Sequence, residues 1–189
     1  MAELTVVVVV VLFLGIAFFL YLIMIYNGLV LLNVNIGKAW ANIDVLLKQR
    51  HDEIPNLIAV VQGYKEFEKK TITDLTAART AALSATSVGD QGAAQKDLTG
   101  ALGRLMAVAE NYPQLKAQEN FLSLQKRLSE LESEIADRRS FYNASVAAYN
   151  TRISQFPDLL VAGAMKLKPH VLFQAGEGER DVVKVGLAS

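Results

Sequence analysis

YNGLVLLNVNIGKAWANIDVLLKQRHDEIPNLIAVVQGY, residues Tyr26 to Tyr64, joins a wholly apolar segment before it to a heptad-patterned region after it. Apolar or small residues recur at Val30, Val34, Gly37, Trp40, Leu47 and Ile54, which is helical spacing interrupted by the polar Asp44 and His51. A second stripe, Leu32, Ile36, Ala39, Ile43 and Leu46, lies on another face of the same helix. A helix apolar over most of its circumference is seldom left in water. One face is therefore expected to pack within the domain and the other, Leu32 to Leu46, to serve self-association. The alternative is a helix buried all round in its own bundle. Pro55 lacks a donor and pushes Ile54 away from helical angles, so a break is expected there, with Asp52 capping a new helix.

Upstream, no charged residue occurs from Leu4 to Tyr26. Twenty-three residues at 1.5 Å each make about 35 Å of helix, enough for a hydrocarbon core of about 30 Å. The segment reads as a retained transmembrane anchor, since no basic region precedes it and no small-x-small cleavage site follows. Tyr21 and Tyr26 suit the headgroup zone near its end. Only Glu3 carries side-chain charge before the span, whereas Lys38, Lys48 and Arg50 come first after it. That bias places the helical body in the cytoplasm and the N-terminus outside.

Downstream, a helix is expected from Pro55 to about Ala85 with Leu57, Ile58, Val61, Tyr64, Ile72, Leu75, Ala78 and Ala82 inward. TSVGDQG, Thr86 to Gly92, reads as a loop with Asp90 as N-cap. A short helix follows with Leu98, Leu102, Leu105 and Ala109 inward, ending at Asn111 before Pro113. The longest helix of this part starts near Glu119. Its apolar seam is Phe121, Leu124, Leu128, Leu131, Ile135, Tyr142, Val146, Tyr149, Ile153 and Phe156, coiled-coil-like apart from a skip at Arg138. Pro157 ends it. The division is then 1–26 anchor, 27–157 helical bundle and 158–189 C-terminal tail, the tail irregular or in short strands and docked through Phe173.

Composition removes several classes of function. Nineteen basic and nineteen acidic residues give zero formal net charge and are interspersed, so no basic face exists to neutralise a row of phosphates and nucleic acid is set aside. The absence of cysteine removes disulfides, thiol catalysis and thiolate metal sites. The densest polar cluster is Lys48, Arg50, His51, Asp52 and Glu53. Asp44 and His51 are about two turns apart, beyond the i, i+4 spacing that lets two helix side chains share an ion, so no metal is expected. No nucleophile elbow or phosphate-cradling glycine loop is present, and no catalytic residue or cofactor is expected. Asp44 and His51 instead read as a structural polar core that fixes register, or as residues reaching water at a rim.

Several strings resemble the LemA family of bacterial membrane proteins. They are YNGLV at Tyr26, with its Asn27; AW, with Trp40, and ID ending at Asp44; LLKQRHDEIPNLI with Arg50, Pro55 and Asn56; and GY at Gly63. AENYPQLKAQENFLSLQ, with Tyr112, Pro113, Asn120 and Phe121, YNTRISQFP at Tyr149 and KPHVLFQAGEG at Lys168 extend the likeness over essentially the whole chain. The resemblance implies one N-terminal transmembrane helix followed by an antiparallel bundle of long helices, an all-α fold, with no catalytic residues. A related branch in magnetosome-forming bacteria is tied to making membrane compartments. Glu53 and GAMKLK at Gly163 depart from the family pattern. The expected object is a single-pass inner-membrane protein whose rod self-associates at the bilayer as a homo-oligomeric scaffold. The second expectation is an adaptor presenting its rod to a membrane protease or sensor protein.

Overall fold

A computed structural model of the chain describes residues 1–64 and 67–173. Among these, all regular structure is helical: α1 Ala2–Gln62, α2 Lys69–Ser84, α3 Val88–Ala109, α4 Pro113–Lys116, α5 Glu119–Ser154 and α6 Asp158–Ala164. The chain divides into two compact units, one of Met1–Trp40 with Phe141–His170, the other of Ala41–Ser140 with the segment that begins at Val171.

α1 does not break at Pro55; the proline lies inside a continuous 61-residue helix. A proline in a helix removes the bond to the carbonyl four residues earlier, which here is that of His51. Arg79 of α2 donates its Nε–H to this carbonyl at 2.9 Å. The lost intrahelical bond is thus replaced from a neighbouring helix. The expected restart falls later: α1 ends at Gln62, and a turn in which the Tyr64 N–H donates to the Val61 carbonyl at 3.0 Å leads to α2. This turn delivers Phe67, 4% exposed, into the core against Tyr112, with ring centroids 5.2 Å apart. Gly63, a poor helix former, stands at the break.

In the second unit Ile54, Leu57, Val61, Leu75, Leu98, Leu105, Leu115, Phe121 and Leu128 form one apolar cluster, with Ile58, Tyr64, Ile72, Ala78 and Leu124 packed partly buried against it. α3 begins at Val88 and is capped by Ser87, not by Asp90. The Ser87 hydroxyl accepts from the Asp90 N–H at 3.0 Å and donates to the Asp90 carboxylate at 2.6 Å. Asp90, the third residue of the helix, thus holds the capping hydroxyl in place through its carboxylate while its own N–H is capped.

In the first unit α5 runs back along α1. Trp40 meets Tyr142 with ring centroids 5.4 Å apart. Further along α5, the Arg152 guanidinium lies so close to α1 that a Cβ on Gly28 would sit 2.9 Å from it. The α5 seam is buried from Phe121 through Ile153, with Leu124 half-buried, whereas Phe156 is 80% exposed. Phe156 follows the end of α5 at Ser154, so the periodicity that would turn it inward has lapsed. The tail expected to be irregular starts with α6, which closes through the Lys166 N–H to the Gly163 carbonyl at 3.1 Å and the Leu167 N–H to Ala162 at 3.0 Å, with Lys166 left-handed at φ 55°. From there the chain is fastened by Asn150. Its side chain donates to the His170 carbonyl and accepts from the His170 N–H, both at 2.9 Å. Phe173 is buried, as expected of a docked tail; the strands expected beyond it lie outside the described residues.

Candidate functional site

The residues chosen as a self-association face are not available for it. Ile36, Ala39, Ile43 and Leu46 are buried within the chain itself and Leu32 is half-buried. On α1 beyond the span, the large apolar residues left open are Val30, Leu31, Val34 and Val45. Helical periodicity finds both stripes but does not say how much of each the rest of the chain covers: Leu47 and Ile54 of the other stripe are buried too, while Val30 and Val34 stay open. The expected polar pair also separates: His51 is buried, while Asp44 is exposed at the surface.

His51 instead belongs to a cluster in the second unit built around Arg50, which is 1% exposed. One terminal nitrogen of the guanidinium donates to Glu132 of α5 and to the Thr99 hydroxyl of α3 at 3.1 Å; the other donates to the Gln95 side-chain oxygen. The Thr99 hydroxyl is 3.3 Å from the Glu132 carboxylate, to which it donates. Because the Gln95 oxygen faces Arg50, its amide nitrogen faces His51 Nε2, 3.2 Å away. An amide nitrogen is a donor, so His51 accepts at Nε2 and carries its proton on Nδ1. Arg79, bonded to the His51 carbonyl, brings α2 to the same point. Four helices therefore meet on two adjacent residues of α1.

Burial is the largest influence on both groups. It lowers the Arg50 pKa, against the raising effect of Glu132. Burial likewise lowers the His51 pKa, assisted by the positive charges of Arg50 and Arg79 and opposed by Gln95 and Asp52. A neutral imidazole suits its acceptor role toward Gln95. A surface cleft of about 290 Å³ opens beside His51 and Gln95. Among the described residues no group of three or more potential metal ligands comes together.

The other residues singled out by resemblance fall in several places. Phe121 is in the core, Tyr112 and Trp40 are half-buried, and Pro113 starts α4. Tyr26 and Asn27 are exposed at the end of the apolar run, while Asn56 and Asn120 are exposed elsewhere. Arg50 is singled out by the resemblance, but by pattern it stands in a charged run, which usually marks a solvated face. Its partners lie 45, 49 and 82 residues away, so no local pattern announces the cluster.

Fold and cluster together define an all-helical protein, built on one helix long and apolar enough to cross a membrane, with a buried charged knot where its helices converge. The sequence model of the LemA family matches residues 39–186, and the chain belongs to that family. It is 27% identical over 168 residues to magnetosome protein MamQ 2 of Paramagnetospirillum magneticum, an alignment covering 75% of this chain and 62% of the relative. It is 26% identical to magnetosome protein MamQ of Magnetospirillum gryphiswaldense over the same shares of each chain. Protein LemA of Metamycoplasma hominis is 29% identical over 147 residues, with 77% of this chain and 67% of the relative covered. The chain thus spans about three-fifths of the length of the MamQ relatives.

Proposed function

We propose that this protein is a single-pass, membrane-anchored helical scaffold that acts by self-association rather than by catalysis. The observation carrying this reading is the continuity of α1: one helix runs from the apolar segment through Pro55 to Gln62. Whatever holds the span therefore holds the first helix of the body without an intervening hinge loop. Val30, Leu31 and Val34 stay exposed shortly after the apolar run, on a helix whose turns from Leu4 to Leu20 are largely apolar and open. Such a strip, continuous with a lipid-facing surface, suits packing against a second copy. Support for a non-catalytic role comes from the cluster itself, where the terminal nitrogens of Arg50 are engaged by Glu132, Thr99 and Gln95.

Native mass measurement on detergent-extracted protein tests the assembly. Oligomers are expected, and Val34→Glu should dissociate them without changing helicity. A monomer at every concentration, or assembly indifferent to Val34→Glu, removes the proposal. We read the body as cytoplasmic, a reading supported by Lys38, Lys48 and Arg50 being the first basic residues after the span. The chain has no native cysteine, so Ser133→Cys, on the exposed face of α5, reports sidedness in whole cells. Ready labelling by an impermeant reagent reverses that assignment.

A further inference from the structure

In the unit that carries the apolar run, packing does not stop where water begins. Ile25, inside the uncharged run, is 2% exposed, Leu29 is fully buried, and Leu22 is half-buried. One α-helix does not bury its own residues to that degree, and within this unit the cover comes from the 141–170 segment. The order of contacts gives the same level. Trp40, which meets Tyr142, lies fourteen residues past Tyr26, or about 21 Å along the helix. His170 donates from Nε2 to the Asn33 side-chain oxygen at 2.7 Å, and Gly28, against Arg152, is only two residues past Tyr26. α5 therefore descends along α1 toward the end of the apolar run. Arg152 then pairs through Nε with Asp158 at 3.3 Å, which ties the first residue of α6 to the same place.

The residues arriving there are apolar and uncovered: Phe156 is 80% exposed, Leu159 50% and Leu160 65%. Lys166 and Lys168 follow, both exposed. We infer that Phe156, Leu159 and Leu160 insert into the headgroup–acyl boundary of the bilayer that α1 crosses, with Lys166 and Lys168 set against anionic headgroups, so that the chain grips the membrane at two places. The depth needed is small, since an interfacial segment buries its apolar face only about 5–10 Å below the headgroups. Lipid is the occupant that these positions select: the patch is level with the last turn of a lipid-facing helix, and its basic neighbours complement an anionic surface.

The inference rests on α1 spanning the bilayer, and the test separates the two. Full-length protein, one copy per nanodisc of mixed neutral and anionic phospholipid, carries a single nitroxide at Phe18→Cys, Leu160→Cys or Ser133→Cys. Accessibility to oxygen, which concentrates in lipid, is compared with accessibility to a water-soluble nickel chelate. The expected oxygen-to-nickel ratio is severalfold higher at Phe18 and at Leu160 than at Ser133. A high ratio at Phe18 with Leu160 matching Ser133 overturns the interfacial patch alone. A low ratio at Phe18 overturns the spanning helix and the patch with it. Shielding of Leu160 from both reagents means protein covers it, and also overturns the inference.

Discussion

Two ion pairs, one in each unit, hold their cations in opposite ways. In the unit carrying the apolar run, the cation of the pair reaches water: Arg152 is 39% exposed, although its partner Asp158 is only 16% exposed. In the other unit, Arg50 is almost wholly out of water and Glu132, one-third exposed, is the charge that balances it. Exposed ion pairs contribute little because each charge is solvated without its partner. A buried charge has no such alternative, so losing its partner leaves the full desolvation penalty standing. The lesson is that the number of bonds is a poor guide here and access to water a good one.

The sharpest way to break that contrast is to remove one acid from each unit. Glu132→Ala is expected to lower stability by about 3 kcal/mol, the low end for a broken buried pair because water reaches part of the site. Asp158→Ala is expected to lower it by less than about 1 kcal/mol. Thermal or denaturant unfolding of the detergent-solubilised protein measures both. Equal losses would mean that burial of the arginine is not what distinguishes the two pairs. Removing both charges as Arg50→Met with Glu132→Met should recover most of the loss, since an apolar pair of similar bulk carries no desolvation penalty.

A smaller effect probes how α1 survives Pro55. Arg79→Met keeps the aliphatic stem but leaves the His51 carbonyl without its donor, at an expected loss of about 1.5 kcal/mol. In a Pro55→Ala background residue 55 regains its N–H and can satisfy that carbonyl, so the same change should lose distinctly less. A double-mutant cycle reads the coupling, which for groups sharing one acceptor is about 1 kcal/mol. Additivity would show that Arg79 is not what replaces the missing bond.

This pair also shows why the sequence misleads at Pro55. The local rule is sound, but its remedy stands 24 residues away, on α2. Where local rules act alone they succeed: the α5 seam from Phe121 to Ile153 needs only one regular helix to be read. They fail where two readings share one periodicity. The stripe through Ile36 and Ile43 and the stripe through Val30 and Val34 both have helical spacing, and only the packing of the rest of the chain decides that the first is buried while the second is covered only further along, at Leu47 and Ile54. α6, at seven residues, is too short to leave a period, and Arg50 is hidden by its charged neighbours. Ile43→Val tests the reassigned stripe: a fully buried residue should lose about 1 kcal/mol on this change, with oligomer mass unchanged. A shift in mass at unchanged stability would restore Ile43 to an interface.

The smallest effect concerns pH and belongs to the buried cluster alone. His51 is held neutral in the folded chain by burial and by the charges of Arg50 and Arg79, so its pKa lies below the ordinary value of about 6.5. As pH falls through that value the unfolded chain takes up a proton first, and folding stability declines; the loss levels off once the folded state is also protonated. Above about pH 6.5 the contribution is fully present. One proton sets an upper slope of about 1.4 kcal/mol per pH unit, and the loss between pH 7 and 6 is smaller than that because the unfolded state is only partly protonated there. Protonation would also turn Nε2 into a donor facing the Gln95 amide, so Gln95 would have to release either His51 or Arg50. His51→Gln keeps an acceptor but cannot titrate, and should flatten the stability profile between pH 5 and 7, a window lying above ordinary carboxylate values. A profile equally steep in that variant would place the titrating group elsewhere and leave the cluster insensitive to protons.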